Sequence, residues 1–505
     1  MSQLKKLAGQ SAVYGISSIL GKTINFLLIP LYTGYLTKED LGSFTMIYAL
    51  IAFLNVIFTF GMETAYFRFA TGKGLNPERV FNNAHSMVGL VALIMGTVIY
   101  LSADGLAELL EYPGQGHLFR WVAFILCIDA LMAIPYAKLR IEGRALSFAL
   151  IKLLNICLNV ALNIFFIVFC YHVFHGEWFP EWQSIVQVIY NPDWGVDYIL
   201  LSNVLANALV LPLLFLLVRN LGIKLEREIL APMWQYAMPL LFMGLAGVTN
   251  EVFSRGLFEY ALPEGFYEGL STREAGGIFG ANFKLAIFMN LIIQAFKYAA
   301  EPFFFQQATN KESPQVFARV MHWFIIFCTF LMVAVAVNLD VIGGLFFQAE
   351  GYETGLSMVP LLLMGYLFLG IYYNLSIWFK LTDQTSYSFY ITAIGAVVTV
   401  AVIFTLVPIW GFMGGAMSTF ASYGVMCILC YRLGQRYYPI PYQTKKAIVI
   451  LVVAFVFSYS GFLIHTGNIF LDFFIHNLFI IAYGFFVFTL EKKELTLLFA
   501  RFRKK

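Results

Sequence analysis

A chain of 505 residues that is 60% hydrophobic and 12% charged, with a net charge of +3, carries more apolar side chain than soluble domains can bury. That balance excludes a soluble enzyme or a nucleic-acid-binding protein. It leaves an all-α polytopic membrane protein.

The first apolar run, Ala8–Leu36, follows Lys5 and Lys6 and is too long for a signal-peptide core, so it reads as a retained span. A polar turn, Thr37-Lys38-Glu39-Asp40, hinges it to a second run, Leu41–Ala70, and each run exceeds the roughly 20 residues that cross a bilayer. Lys22 sits in the middle of the first run, followed by Asn25. An unpaired charge facing lipid costs several kcal/mol, so Lys22 must face protein or water.

About fourteen spans follow from the same criterion: 8–36, 41–69, 81–102, 118–138, 147–174, 197–218, 232–258, 276–299, 316–339, 356–380, 386–407, 412–432, 446–466 and 469–490. An even number places both termini on one side of the membrane. Only Lys38, Arg120 and Arg273 fall in loops of one face, and Lys22, Lys152, Arg255, Lys284 and Lys297 fall inside spans; the other Lys and Arg lie on the face of the termini. Positive loops are cytoplasmic loops, so both termini are expected in the cytoplasm. The outer loops are acidic, with Asp104, Glu108 and Glu111 in one and Glu177, Glu181, Asp193 and Asp197 in the longest. That longest loop, roughly 175–196, carries Trp178, Trp182 and Trp194 and predicts an interfacial helix.

The first hairpin recurs in diverged form halfway along the chain. Tyr236–Tyr260 is again a long apolar run with Pro239, Asn250, Glu251 and Arg255 inside it, and Gly277-Ile278-Phe279 opens the next segment as Gly42-Ser43-Phe44 does. Glu63–Thr71 also lies beside Glu301–Thr309, so two anchors in the same order argue for internal duplication. The expected organisation is two pseudo-symmetric six-helix lobes, 1–220 and 221–440, then a helix pair with a basic tail, 441–505. The polar connector Arg219–Glu228 is the natural linker between lobes.

Several polar residues inside the spans are candidates for function. Asn155, Asn159 and Asn163 form an i, i+4, i+8 stripe, and Asn203 and Asn207 repeat the spacing. Such a stripe is either the wall of a hydrated cavity, shared with Asn25 and Asn250, or interhelical hydrogen bonding. Asp129, near the midplane, is either neutral or paired, or a site for a coupling proton or cation, a role open to Glu251 as well. Lys22, Arg255 and Lys284 all fall between the midplane and the outer surface. Convergent cations suit an anionic substrate, with Arg offering a phosphate a bidentate fork; the alternative is that Arg255 neutralises Glu251, four residues earlier. Glu63 with Arg68, and Lys297 with Glu301, occupy inner span ends and read as inner-gate ion pairs. Cys427-Ile-Leu-Cys430 lies in an apolar span without a second ligand pair, and His172 with His175 alone make a poor metal site, so no metal or other cofactor is expected.

Ile29-Pro-Leu-Tyr-Thr-Gly-Tyr-Leu-Thr-Lys-Glu-Asp-Leu-Gly-Ser-Phe, Leu139-Arg-Ile-Glu-Gly-Arg-Ala-Leu-Ser-Phe-Ala-Leu-Ile-Lys-Leu-Leu-Asn and Gly276-Gly-Ile-Phe-Gly-Ala-Asn-Phe-Lys-Leu resemble the polysaccharide transporter branch, the Wzx-type oligosaccharide flippases, of the multidrug/oligosaccharidyl-lipid/polysaccharide (MOP) exporter superfamily. The resemblance covers nearly the whole chain, and a longer outer insertion, Pro263–Glu274, departs from it. It implies a monomeric flippase of the bacterial inner membrane. Such a protein moves an undecaprenyl-diphosphate-linked oligosaccharide to the periplasmic leaflet by alternating access, holds the diphosphate in a cationic cavity, and works beside a polymerase and chain-length proteins. A lipid II flippase and a cation-coupled multidrug exporter of the same superfamily are the alternatives, and a polysaccharide polymerase, which calls for a large outer loop, fits less well.

Overall fold

The computed structural model describes residues 28–71, 75–218, 222–307, 312–382, 384, 386–464 and 466–502, and the side chains of Glu251 and Glu301 lie outside that description. Lys22 and Asn25 lie outside it altogether. Among the described residues every regular element is a helix. Twelve helices are long and apolar enough to cross a membrane, and a thirteenth is a bent pair. All but the first of the expected spans are therefore present, and of the first, 8–36, only its end is described, as α1 (Ile29–Tyr35).

Two compact units divide the chain, Met1–Gly280 and Ala281–Lys505. The first contains α2 (Lys38–Thr59), α3 (Met62–Thr71), α4 (Pro77–Leu101), α5 (Gly116–Ile141), α6 (Ala145–Ile164), α7 (Val196–Val218), α8 (Arg227–Val248) and α9 (Ser254–Ala261). Helix α10 (Thr272–Leu285) runs into the second, which continues with α11 (Ile287–Gln307), α12 (Ser313–Ala336), α13 (Val359–Leu375), α14 (Ser386–Trp410), α15 (Phe412–Tyr437), α16 (Thr444–Phe462) and α17 (Ile469–Phe502).

Local chemistry explains the breaks. Thr37 caps α2 in a capping box with Asp40, so the polar turn is the start of the helix rather than a free loop. The long second span bends at Phe60-Gly61, where both residues take positive φ; at Gly61 a Cβ would stand 2.9 Å from the Ala237 carbonyl. Helices α10 and α11 form the bent pair, 40° apart, with two i→i+3 bonds, Ala286 to Phe283 and Met289 to Ala286, at the break. The run from α8 to α9 passes through a π-helical turn, Thr249–Phe253, and α6 continues through another, Phe165–Cys170. The first of these turns holds Asn250 and Glu251, and such bulges inside helices are frequent at functional sites. The long loop at 175–196 folds into a short helix, Gln183–Ile189, that leaves Trp182, Ile185 and Val188 exposed.

Candidate functional site

A network of asparagines links helices of the first unit. Asn207 Nδ2 on α7 donates to Asp129 Oδ1 on α5 at 2.8 Å and to Asn203 Oδ1 at 2.9 Å, while Asn155 on α6 donates to Asn207 Oδ1 at 2.7 Å. Asn203 in turn donates to the Tyr48 hydroxyl on α2 at 3.3 Å. Farther along α6, Asn163 donates to the Asn159 carbonyl at 2.8 Å and to its side chain at 3.1 Å, and accepts from the Tyr32 hydroxyl of α1 at 3.1 Å. Asn155, Asn163, Asn203 and Asn207 thus hydrogen-bond between helices while Asn159 pairs within its own, and Asn207, which the helical spacing ranked no higher than its neighbours, is the hub. Lys152 on α6 lies accessible, its Nζ 4.4 Å over the Tyr136 ring, close enough to interact electrostatically with Asp129 and Glu63. Among the in-span cations it was the one that sequence reasoning left without a role.

One expected pairing is corrected in this unit. Glu63 pairs with Arg140 of α5 at 2.7 Å, not with Arg68, whose guanidinium lies 4.4 Å over the Tyr236 ring. Five residues along a helix turn Arg68 roughly 140° away from Glu63, so the two cannot share a face. Lys297 places its Nζ 4.3 Å over Tyr373. The connector does not hang free. The backbone amides of Gly222, Lys224 and Glu226 donate to Asn82, Ser86 and Asn83 of α4, at 2.9, 3.0 and 2.5 Å, and Arg79 pairs with Glu226. That guanidinium holds the Glu226 carboxyl below its ordinary pKa.

Helices α2 and α10, the two expected to be related by duplication, cross in backbone contact. A Cβ on Gly42 would stand 2.0 Å from the Arg273 carbonyl, and one on Gly277 would stand 2.2 Å from the Lys38 carbonyl. Each glycine meets the carbonyl four residues before the other glycine, so the contact is reciprocal, as an internal two-fold requires. Gly280 lies against Thr45, the residue at its equivalent position, with 2.1 Å between its hypothetical Cβ and Oγ1. Only glycine permits this approach.

A polar clamp surrounds the crossing. Arg273 reaches Glu259 Oε1 of α9 at 3.2 Å, Glu39 of α2 at 3.3 Å and the Glu111 carbonyl at 2.5 Å, and lies 3.8 Å over the Tyr112 ring. The Tyr112 hydroxyl completes it by donating to Glu259 Oε2 at 3.0 Å. Sequence reasoning took Arg273 only as an outer-loop charge on the inserted segment. Its position at −4 from the repeated glycine, equivalent to Lys38, was the available signal.

Arg255 lies half-buried on α9, which packs on α2 in the first unit, and its Nε is enclosed by protein. Lys284 is half-buried on the part of α10 that belongs to the second unit. Among the described residues no group of three His, Cys, Asp or Glu could hold a metal ion.

A helical membrane bundle with these broken spans has the fold of the MOP exporter superfamily. Residues 34–191 match the family model described as "Polysaccharide biosynthesis protein". Among solved structures, the lipid II flippase MurJ in an inward closed conformation is similar with a TM-score of 0.69 and 11% identity, over 94% of this chain and 98% of that one. An inward-facing multidrug-resistance MATE transporter is similar with a TM-score of 0.62 and 15% identity, over 82% and 95%. A Pyrococcus furiosus transporter of the superfamily, described by the reverse polarity of its binding pocket, is similar with a TM-score of 0.56 and 14% identity, over 85% and 95%. No curated protein matches in sequence. The family match and the fold agree with the resemblance to the polysaccharide-transporter branch, and the chain is a multi-pass membrane protein with a transporter's fold.

Proposed function

We propose that the protein is a flippase that carries an undecaprenyl-diphosphate-linked oligosaccharide from the cytoplasmic to the periplasmic leaflet of the bacterial inner membrane, without making or breaking a bond. The observation that carries this reading is the match of residues 34–191 to a polysaccharide-biosynthesis family on a chain that shares a lipid II flippase's fold over 94% of its length. In this reading Lys22, Arg255 and Lys284 hold the diphosphate by charge, the asparagine network around Asn207 stiffens the first unit, and Asp129 with Lys152 is the candidate coupling pair for a proton or sodium ion. The α2–α10 crossing and the Arg273 clamp form the gate on the outer side.

Deletion of the protein tests the reading. Lipid-linked oligosaccharide is expected to accumulate on the inner leaflet while its synthesis continues. Normal surface glycan together with raised sensitivity to cationic dyes would move the assignment to a cation-coupled multidrug exporter.

A further inference from the structure

The second unit contains a groove of about 420 Å³ between α12, α13, α15 and the start of α16, within the roughly 300–1,000 Å³ of ligand cavities. Its lining is mostly apolar, with Met321 and Ile325 of α12, Phe368 of α13 and Ile448 and Leu451 of α16. Its mouth is polar and basic, with Arg432 and the Gln443-Thr444 turn that opens α16. From Arg432 to Lys446 the chain carries Arg432, Arg436, Lys445 and Lys446 and not one acidic residue. Lys446 is engaged: its Nζ lies 3.2 Å from Glu491 of α17, whose carboxylate also faces His322 of the groove wall at 3.1 Å. Arg432 and Lys445, in contrast, are exposed and make no ion pair among the described residues.

We propose that this groove is a binding site for an anionic phospholipid of the leaflet at the basic end of the bundle, with one acyl chain in the apolar cleft and the phosphate on Arg432. The argument is one of matched amphipathy. An apolar cleft that opens between membrane helices meets hydrocarbon, and a cation fixed at its rim selects among headgroups by charge; basic pockets between spans on the cytoplasmic side bind anionic lipids for that reason. A soluble anion would leave the apolar cleft unfilled, and a zwitterionic lipid, whose ammonium offsets its phosphate, would gain less from Arg432. The groove lies in the second unit, whereas the asparagine network and the Arg273 clamp belong to the first, and it does not depend on what the protein transports. By tying α17 to α12 and α16, the buried Glu491 triad keeps the groove's back wall in place.

The test uses the full chain purified in detergent, stripped of lipid, and titrated with phosphatidylglycerol, phosphatidylethanolamine or a polyprenyl monophosphate while bound lipid is counted by native mass spectrometry. Phosphatidylglycerol is expected to bind about five-fold more tightly than phosphatidylethanolamine, the preference one rim cation confers. Arg432→Gln is expected to abolish that preference. Arg436→Gln, which changes a cation on the same helix end that does not line the groove, should retain it, and Ile448→Trp, which fills the cleft, should weaken both lipids alike. Equal binding of the two phospholipids to the wild-type protein would overturn the proposal. So would an Arg432→Gln protein that still prefers phosphatidylglycerol, or a groove that takes the polyprenyl phosphate and excludes phosphatidylglycerol.

Discussion

Replacing Arg273 by Gln removes the cation from a site where Glu259 is about 9% exposed in its side chain. The contact to Glu39, an exposed carboxylate, contributes little, on the order of 0–1 kcal/mol. The contact to Glu259 matters more, because breaking a buried pair from one side leaves an uncompensated charge, a loss of about 3–5 kcal/mol. Protonation caps that loss: neutralising a carboxylate with an ordinary pKa near 4.3 takes about 1.4 kcal/mol per pH unit, so the ceiling is about 4 kcal/mol at pH 7.5 and about 1 kcal/mol at pH 5. Thermal unfolding in detergent, followed by tryptophan fluorescence, should show the Tm deficit of Arg273→Gln against wild type shrinking to about a third or less between those two pH values. The double change Arg273→Gln with Glu259→Gln removes the orphaned charge and should recover most of the deficit at pH 7.5. A deficit that is the same at both pH values, or a double variant as unstable as the single one, would refute the assignment of Glu259 as the group that Arg273 serves.

Gly277→Ala places a methyl 2.2 Å from the Lys38 carbonyl and should abolish transport with the protein still present in the membrane, whereas Gly247→Ala, which meets nothing within 4 Å, should leave transport unchanged; complementation of a deletion strain reads both. Asn207→Leu orphans groups on three helices and should lower Tm by more than Asn159→Leu, whose partners lie on its own helix, by a margin on the order of 1 kcal/mol in a paired unfolding measurement. The connector should become more susceptible to protease as pH falls. Glu226 is held below its ordinary pKa by Arg79, so the contact it contributes is fully present above about pH 4.3 and is lost as pH drops through the folded-state value; Glu226→Gln should remove the acid dependence and leave cleavage raised at every pH.

Hydropathy and charge were legible without coordinates because they are sums over long segments. A run of some twenty apolar residues can only be buried in lipid or in a core, and loop cations report a side of the membrane whatever the helices touch. The repeat was legible for the same reason: Gly42-Ser43-Phe44 and Gly277-Ile278-Phe279 are a pattern in one dimension. What the pattern meant required packing. That the two glycines face each other's preceding turns, at 2.0 and 2.2 Å, depends on how α2 and α10 cross, and no local propensity encodes a crossing. Partner choice among polar side chains was likewise tertiary. Helical spacing placed Asn155, Asn159 and Asn163 on one face, but packing decided which of them reach another helix: α7 brings Asn207 within 2.7 Å of Asn155, and α1 brings Tyr32 within 3.1 Å of Asn163. Glu63 took Arg140, seventy-seven positions away, over Arg68, five positions away, because helix geometry turns the near cation aside while the fold brings the far one to 2.7 Å. Arg273 shows the limit most plainly: in the sequence it is one charge on an expected outer loop, and it becomes a clamp only where Glu39, Glu111, Tyr112 and Glu259, from three separate stretches of chain, close around it.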